Sequence, residues 1–151
     1  MDRYVSPKPI PVPELETGLE LARADLVFVG VDHSGPSYEA RVFLNNPAAT
    51  LETPLEPGEG YAGSFNVFGH GACYGEEGHC DPERQYRDAF DARPPHPLEP
   101  LTKTVIITDA LAQLKRPNVT VTVVAAEHSG KDADPTDALR FDEVRLLAYE
   151  T

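Results

Sequence analysis

The sequence predicts an all-β fold, an antiparallel β-sandwich of about six to seven strands with one short helical turn. Three observations carry this reading. Short β-branched or alternating runs recur along the chain, clusters of Gly, Pro, Asn and Asp separate them, and at most one short window has helical spacing. At 151 residues the chain fits one domain that buries roughly two-thirds of the surface its unfolded form exposes. With 40% hydrophobic residues and no long apolar run, neither a disordered composition nor a membrane-spanning helix describes it.

Residues 1–23 read as a Pro-rich N-terminal arm, and residues 24–151 as the sandwich domain. Pro7, Pro9, Pro11 and Pro13 favour an extended, polyproline-like arm without internal hydrogen bonds, lying on the surface of the domain or of a partner. Residues 14–23 fit a short helix or a lead-in to a strand equally well. Residues 26–31 are apolar on both parities, as suits a strand covered on both faces. After a turn at Gly35 and Pro36, residues 38–45 place Ala40, Val42 and Leu44 on one face and stop at Asn46 and Pro47. The two segments and their tight turn predict a β-hairpin.

A Pro/Glu/Gly-rich loop over 53–60 leads to a strand over 61–68, with Phe65 and Val67 on one face and the small residues Ala62 and Ser64 on the other. Those small residues suggest close approach by another backbone. Residues 69–100 form a long irregular loop holding five of the fifteen prolines and both cysteines, and loops of this length are usually functional or covered by a partner. Pattern resumes at 103–108. Thr108 or Asp109 is then placed to cap a helical turn over 110–114, which Pro117 ends. Residues 118–125 alternate Val and Thr, predicting a strand with one buried and one wetter face. After a loop over 129–137, a last strand over 141–149 turns Val144, Leu146 and Ala148 inward.

The net charge is −12, from 25 acidic and 13 basic residues, with the basic ones scattered. Such a surface repels phosphate backbones and anionic lipid, so neither nucleic acid nor membrane is an expected partner; a basic protein surface is compatible with it. The first residues contain no apolar signal-peptide core, so a cytoplasmic location is the default, and an extracellular one follows if the chain is a fragment of an exported protein.

One constellation stands out for chemistry. Residues 69–81 contain His70, Cys73, His79, Cys80 and four glycines. Imidazole and thiolate suit copper or zinc, and glycines let a loop fold its side chains onto one ion, so His70, Cys73, His79 and Cys80 are candidate metal ligands, with His96 in the same long loop. The adjacency of His79 and Cys80 makes it hard for both to reach one ion. A Cys73–Cys80 disulfide and two free thiols are the alternative readings, together favoured over metal, and the absence of a cofactor is as compatible with the sequence as copper or zinc. His33, His96 and His128 sit beside turns and read as solvated or hydrogen-bonding residues. No catalytic residues are selected: there is no Ser-His-Asp ordering, phosphate-cradling glycine loop or HExxH helix, and Glu76-Glu77 and Asp142-Glu143 read as solvated charge.

The order of segments also carries a resemblance. A strand ending Val42-Phe43-Leu44-Asn45, the stretch Tyr61-Ala62-Gly63-Ser64-Phe65-Asn66-Val67-Phe68-Gly69, the pair Phe90-Asp91, and Thr104-Val105-Ile106-Ile107-Thr108-Asp109-Ala110-Leu111 are followed by a Val/Thr strand. Together these resemble the C-terminal β-sandwich of the tyrosinase, polyphenol oxidase and molluscan hemocyanin family of type-3 copper proteins, over residues 24–150. In that family a separate helical domain with six histidines carries the paired copper ions. This chain has five histidines and no long helix. The resemblance therefore implies a non-catalytic accessory domain that shields or stabilises a tyrosinase-like copper oxidase domain, in cis or in trans, or helps deliver its metal. In some fungal relatives a cysteine pair in this domain is associated with copper handling, but the Cys73/Cys80 spacing is not CxxC. The alternative function is a small stand-alone metalloprotein or metalloenzyme using the 70–80 loop.

Overall fold

The computed structural model describes residues 2–70, 89–90, 98–128 and 138–151. Among them the chain forms nine strands and one α-helix: β1 (Arg3–Val5), β2 (Ile10–Pro11), β3 (Leu21–Val31), β4 (Tyr38–Leu44), β5 (Tyr61–Val67), β6 (Leu101–Ile106), α1 (Thr108–Leu114), β7 (Asn118–Val119), β8 (Val121–Glu127) and β9 (Glu143–Glu150). All pairings are antiparallel. A four-stranded sheet in the order β1-β8-β4-β5 packs against a three-stranded sheet, β6-β3-β9, and β2-β7 forms a two-stranded ribbon. This is the all-β sandwich that the sequence predicts. No helix among the described residues is long and apolar enough to cross a membrane.

The core follows from strand alternation. Leu26 and Phe28 of β3, Val105 of β6 and Leu146 of β9 meet Ala40 and Val42 of β4, Phe65 and Val67 of β5, and Val121 and Val123 of β8. Phe28 sits among aromatic rings, its centroid 4.9 Å from Phe65 and 5.2 Å from Phe141. Burying each such large side chain contributes about 1.5–3 kcal/mol. Val144, Leu146 and Ala148 lie on the covered side of β9 as expected, while Arg145, Leu147 and Tyr149 are exposed. On β5 the close approach falls at Gly63 rather than at its small neighbours. A Cβ there would lie 2.8 Å from Cγ1 of Val105 in the opposite sheet, and its φ of 142° disfavours any side chain.

Three expectations are corrected. The segments 26–31 and 38–45 do not form a hairpin. β3 pairs with β6 and β9, β4 pairs with β5 and β8, and the turn between them crosses from one sheet to the other. Both edges of each strand are taken by other partners, so neither has one left for its chain neighbour. The N-terminal arm, expected on the surface of the domain or of a partner, lies along the domain's own strands. β1 pairs with β8 and β2 with β7, and the N–H groups of Ser6, just before Pro7, and of Val12, between Pro11 and Pro13, donate to Val121 O and Pro117 O, each at 2.8 Å. An edge strand needs only alternate donors, so alternating prolines do not prevent it from pairing.

The Val/Thr run is divided at Thr120, and from Val121 to Ala125 it is buried on both faces. Asn45, in the left-handed region at φ 53°, exchanges two hydrogen bonds with Thr120, between β7 and β8: its N–H donates to Thr120 O and its side-chain Oδ1 accepts from Thr120 N–H. The supposedly wetter face carries Thr122 and Val124, both buried; Val124 packs in a second cluster with Phe43 and Ala49, against which Tyr61 lies. Arg3 holds the covering loop down, donating through Nε to Ala49 O at 2.8 Å and through Nη2 to Pro47 O. The helix cap differs as well. Thr108 lies inside α1, Ile107 is the N-cap, and the Thr108 hydroxyl accepts from Ala24 N–H at 3.1 Å, tying α1 to β3. The helix ends at Lys115 in the left-handed region, before Pro117 is reached.

Candidate functional site

One end of the sandwich gathers the connection between β3 and β4, the segment after β5, Glu99 ahead of β6 and His128 after β8. Gly69 allows this meeting: a Cβ there would lie 2.2 Å from Gly35 O and from the Pro36 carbonyl carbon. The Gly69 N–H donates to Ser37 Oγ at 2.9 Å, and the His70 N–H donates to His33 O at 2.8 Å. His128 N–H donates to Ser37 O at 2.9 Å, so a third histidine borders the same turn.

These backbone bonds bring His33 and His70 together. Their Nδ1 atoms are 3.1 Å apart, and the ring centroids are 4.8 Å apart with planes at 87°. The other ring nitrogen of His33, Nε2, is 2.7 Å from Glu99 O. A carbonyl oxygen only accepts, so Nε2 carries the proton. A neutral His33 then presents a bare Nδ1, and the hydrogen bond assigns its proton to His70 Nδ1. Both rings are half-buried, and Phe68, 78% exposed, stands edge-on to His70 at 5.6 Å.

Two further groups set the electrostatics of this end. Burial raises the Asp32 carboxyl, but the Ser34 N–H and hydroxyl donate to it and Arg140 and His33 lie near. The net effect holds it below the usual carboxylate range, so it is anionic beside the pair. Tyr38 lies beneath, 1% exposed, and burial, with Asp32 nearby, pushes its phenol up to about 12.

Of the predicted metal ligands, the structure places His70 in this pair. Cys73, His79, Cys80 and His96 lie outside the described residues. Among the described residues no group of three or more His, Cys, Asp or Glu side chains is arranged to hold an ion. His33, read from sequence as a hydrogen-bonding turn residue, is the partner that sequence reasoning missed as part of a site. It is 37 residues from His70, and no local spacing signals the contact.

A second feature lies on the outer face of the three-stranded sheet. Ile106, Leu147 and Tyr149 are 58%, 40% and 48% exposed, and Asp25, in register between Ile106 and Leu147, is buried among them and bonded to Arg23 Nε at 2.8 Å. These exposed apolar side chains thus flank the Arg23–Asp25 ion pair on one sheet face.

No family model matches the sequence, and no curated protein matches it. Solved structures do match the fold. Latent aurone synthase, a polyphenol oxidase, from its natural source superposes with a TM-score of 0.55 at 16% identity, covering 98% of this chain and 24% of that one. Two structures of the recombinantly expressed latent enzyme, one co-crystallised with hexatungstotellurate(VI), give a TM-score of 0.55 at 16% identity over 99% of this chain and 24% of theirs. The chain thus spans about a quarter of the length of these proteins, and at this identity the likeness is one of fold. The paired copper centre of type-3 copper proteins does not fit the residues here. The chain has five histidines in all, and the one helix among the described residues spans seven residues and carries none of them.

Proposed function

We propose that the chain is a non-catalytic accessory domain, like the C-terminal sandwich of tyrosinase-like copper oxidases, which packs on a six-histidine copper domain in cis or in trans and shields or stabilises it. The observation that carries this reading is the coverage. Nearly the whole chain matches, while about three-quarters of the polyphenol oxidase chain has no counterpart in it. The lack of a six-histidine set and the exposed apolar side chains of Ile106, Leu147 and Tyr149 on one sheet face support the same reading, since an accessory domain needs a docking face and no dicopper chemistry of its own.

The test is co-purification of the chain with a six-histidine copper domain from the same source, followed by phenol oxidation assays. The reading predicts a one-to-one complex, no oxidation by the chain alone with added copper, and a complex weakened about tenfold or more by Ile106→Asp with Leu147→Glu. Phenol oxidation by the isolated chain overturns the non-catalytic part. Failure to form a complex overturns the accessory part.

A further inference from the structure

The contact between His33 and His70 is a built feature. Gly69 has no room for a side chain, and hydrogen bonds from the backbone at Gly69 and His70 reach Ser37 and His33, so both rings are carried on laced backbone. The positions of the nitrogens are also those of a chelate. On an ion with bonds of about 2.0–2.1 Å, two imidazole nitrogens lie about 2.9 Å apart in adjacent square-planar positions and about 3.3 Å apart in tetrahedral ones. The observed separation of the two Nδ1 atoms is 3.1 Å.

A ligating histidine almost always donates its other ring N–H to a carbonyl or carboxylate, which fixes the tautomer and orients the ring. His33 does this already, through Nε2 to Glu99 O at 2.7 Å, and so presents Nδ1 toward His70. The Asp32 carboxylate is its chain neighbour, and the chain's net charge of −12 favours a cation at this end over an anion.

We infer that His33 and His70 bind one borderline divalent cation through their Nδ1 atoms, Cu²⁺ ahead of Zn²⁺. The ion takes the place of the proton between the rings. His70 gives up its Nδ1 proton and carries one on Nε2 instead, so both imidazoles stay neutral and no net proton is released. A small swing of one ring turns a nitrogen that points at its neighbour into one that converges with it on the ion, and water completes the coordination. Nitrogen ligands place Cu²⁺ above Zn²⁺ in affinity. This site stands apart from the accessory reading: it requires no oxidase, and the accessory reading requires no ion.

The test uses the full chain, stripped of metal and alkylated so that Cys73 and Cys80 cannot ligate, titrated with Cu²⁺ and followed by electron paramagnetic resonance. The expected result is one equivalent of Cu²⁺ with nitrogen hyperfine structure, weakened at least about tenfold by either His33→Ala or His70→Ala, because each leaves a single imidazole without its intramolecular partner. His128→Asn leaves the affinity unchanged. Should a variant fail to fold, proton NMR of the wild-type chain serves: substoichiometric Cu²⁺ broadens the ring protons of His33 and His70 ahead of those of His128. Absence of stoichiometric binding, full affinity in His33→Ala, or first broadening elsewhere overturns the site. Loss of Cu²⁺ binding with an intact oxidase complex would refute this inference and leave the accessory function standing.

Discussion

Tyr38 shows at the scale of one residue how this core treats a polar atom. Its ring completes the packing of β4, yet its hydroxyl is buried without a hydrogen-bond partner among the described residues. Burial disfavours the phenolate, and the phenol is pushed from 10.0 up to about 12. The sign follows from linkage. A group whose folded value is raised contributes stability that is fully present below its unfolded value and is lost as pH rises from about 10 toward about 12, on the order of 2 kcal/mol here. Tyr38→Phe is expected to be neutral or stabilising by up to about 1 kcal/mol near neutrality, since no hydrogen bond among the described residues is lost. It also removes that part of the alkaline destabilisation. Urea midpoints of the two proteins at about pH 9 and about pH 11.5 check this, because the gap between them should widen in favour of the variant at the higher pH.

The elements show which parts of the fold are legible in sequence. Periodicity reports which face a residue takes, and so the inward set of β9 reads directly from Val144, Leu146 and Ala148 set against Arg145. It does not report the partner strand. β3 and β4 both alternate or run apolar, and nothing in either distinguishes a hairpin from a crossing between sheets, a choice made by competition with β6, β9, β5 and β8. The pairing of the arm is hidden for a different reason. Four prolines exclude hydrogen bonds within the arm, but the residues before and between them still donate to other parts of the chain. Ser6 is the tightest case, 8% exposed, donating through its N–H to Val121 O and accepting from Val121 N–H through Oγ at 3.0 Å. Ser6→Ala leaves the buried Val121 N–H without that acceptor, so a loss of about 1–3 kcal/mol is expected in urea unfolding. A loss under about 0.3 kcal/mol would mean that the arm detaches at little cost.

For the whole molecule, the sandwich and the acidic surface follow from composition and pattern, whereas the candidate site does not. His70 stands out in sequence because it belongs to a Gly/His/Cys cluster. Its partner His33 is an isolated histidine near a turn, brought close only because the turn crosses between sheets and Gly69 lets it approach. Four of the five metal ligands expected from sequence lie outside the described residues, so the pair rests on geometry that no spacing encodes. The outer face with Ile106, Leu147 and Tyr149 is similarly hidden, since in sequence these residues are indistinguishable from core positions one place along.

The proposed accessory role requires binding to a copper oxidase domain, and any ligand that binds the folded state raises its melting temperature by mass action. The direct measurement is the thermal midpoint of a copper-loaded, six-histidine domain from the same source, scanned alone and with increasing amounts of this chain. A midpoint that rises with concentration, and rises less with the Ile106→Asp, Leu147→Glu variant, is the predicted result. A midpoint that stays fixed at every ratio contradicts the accessory function.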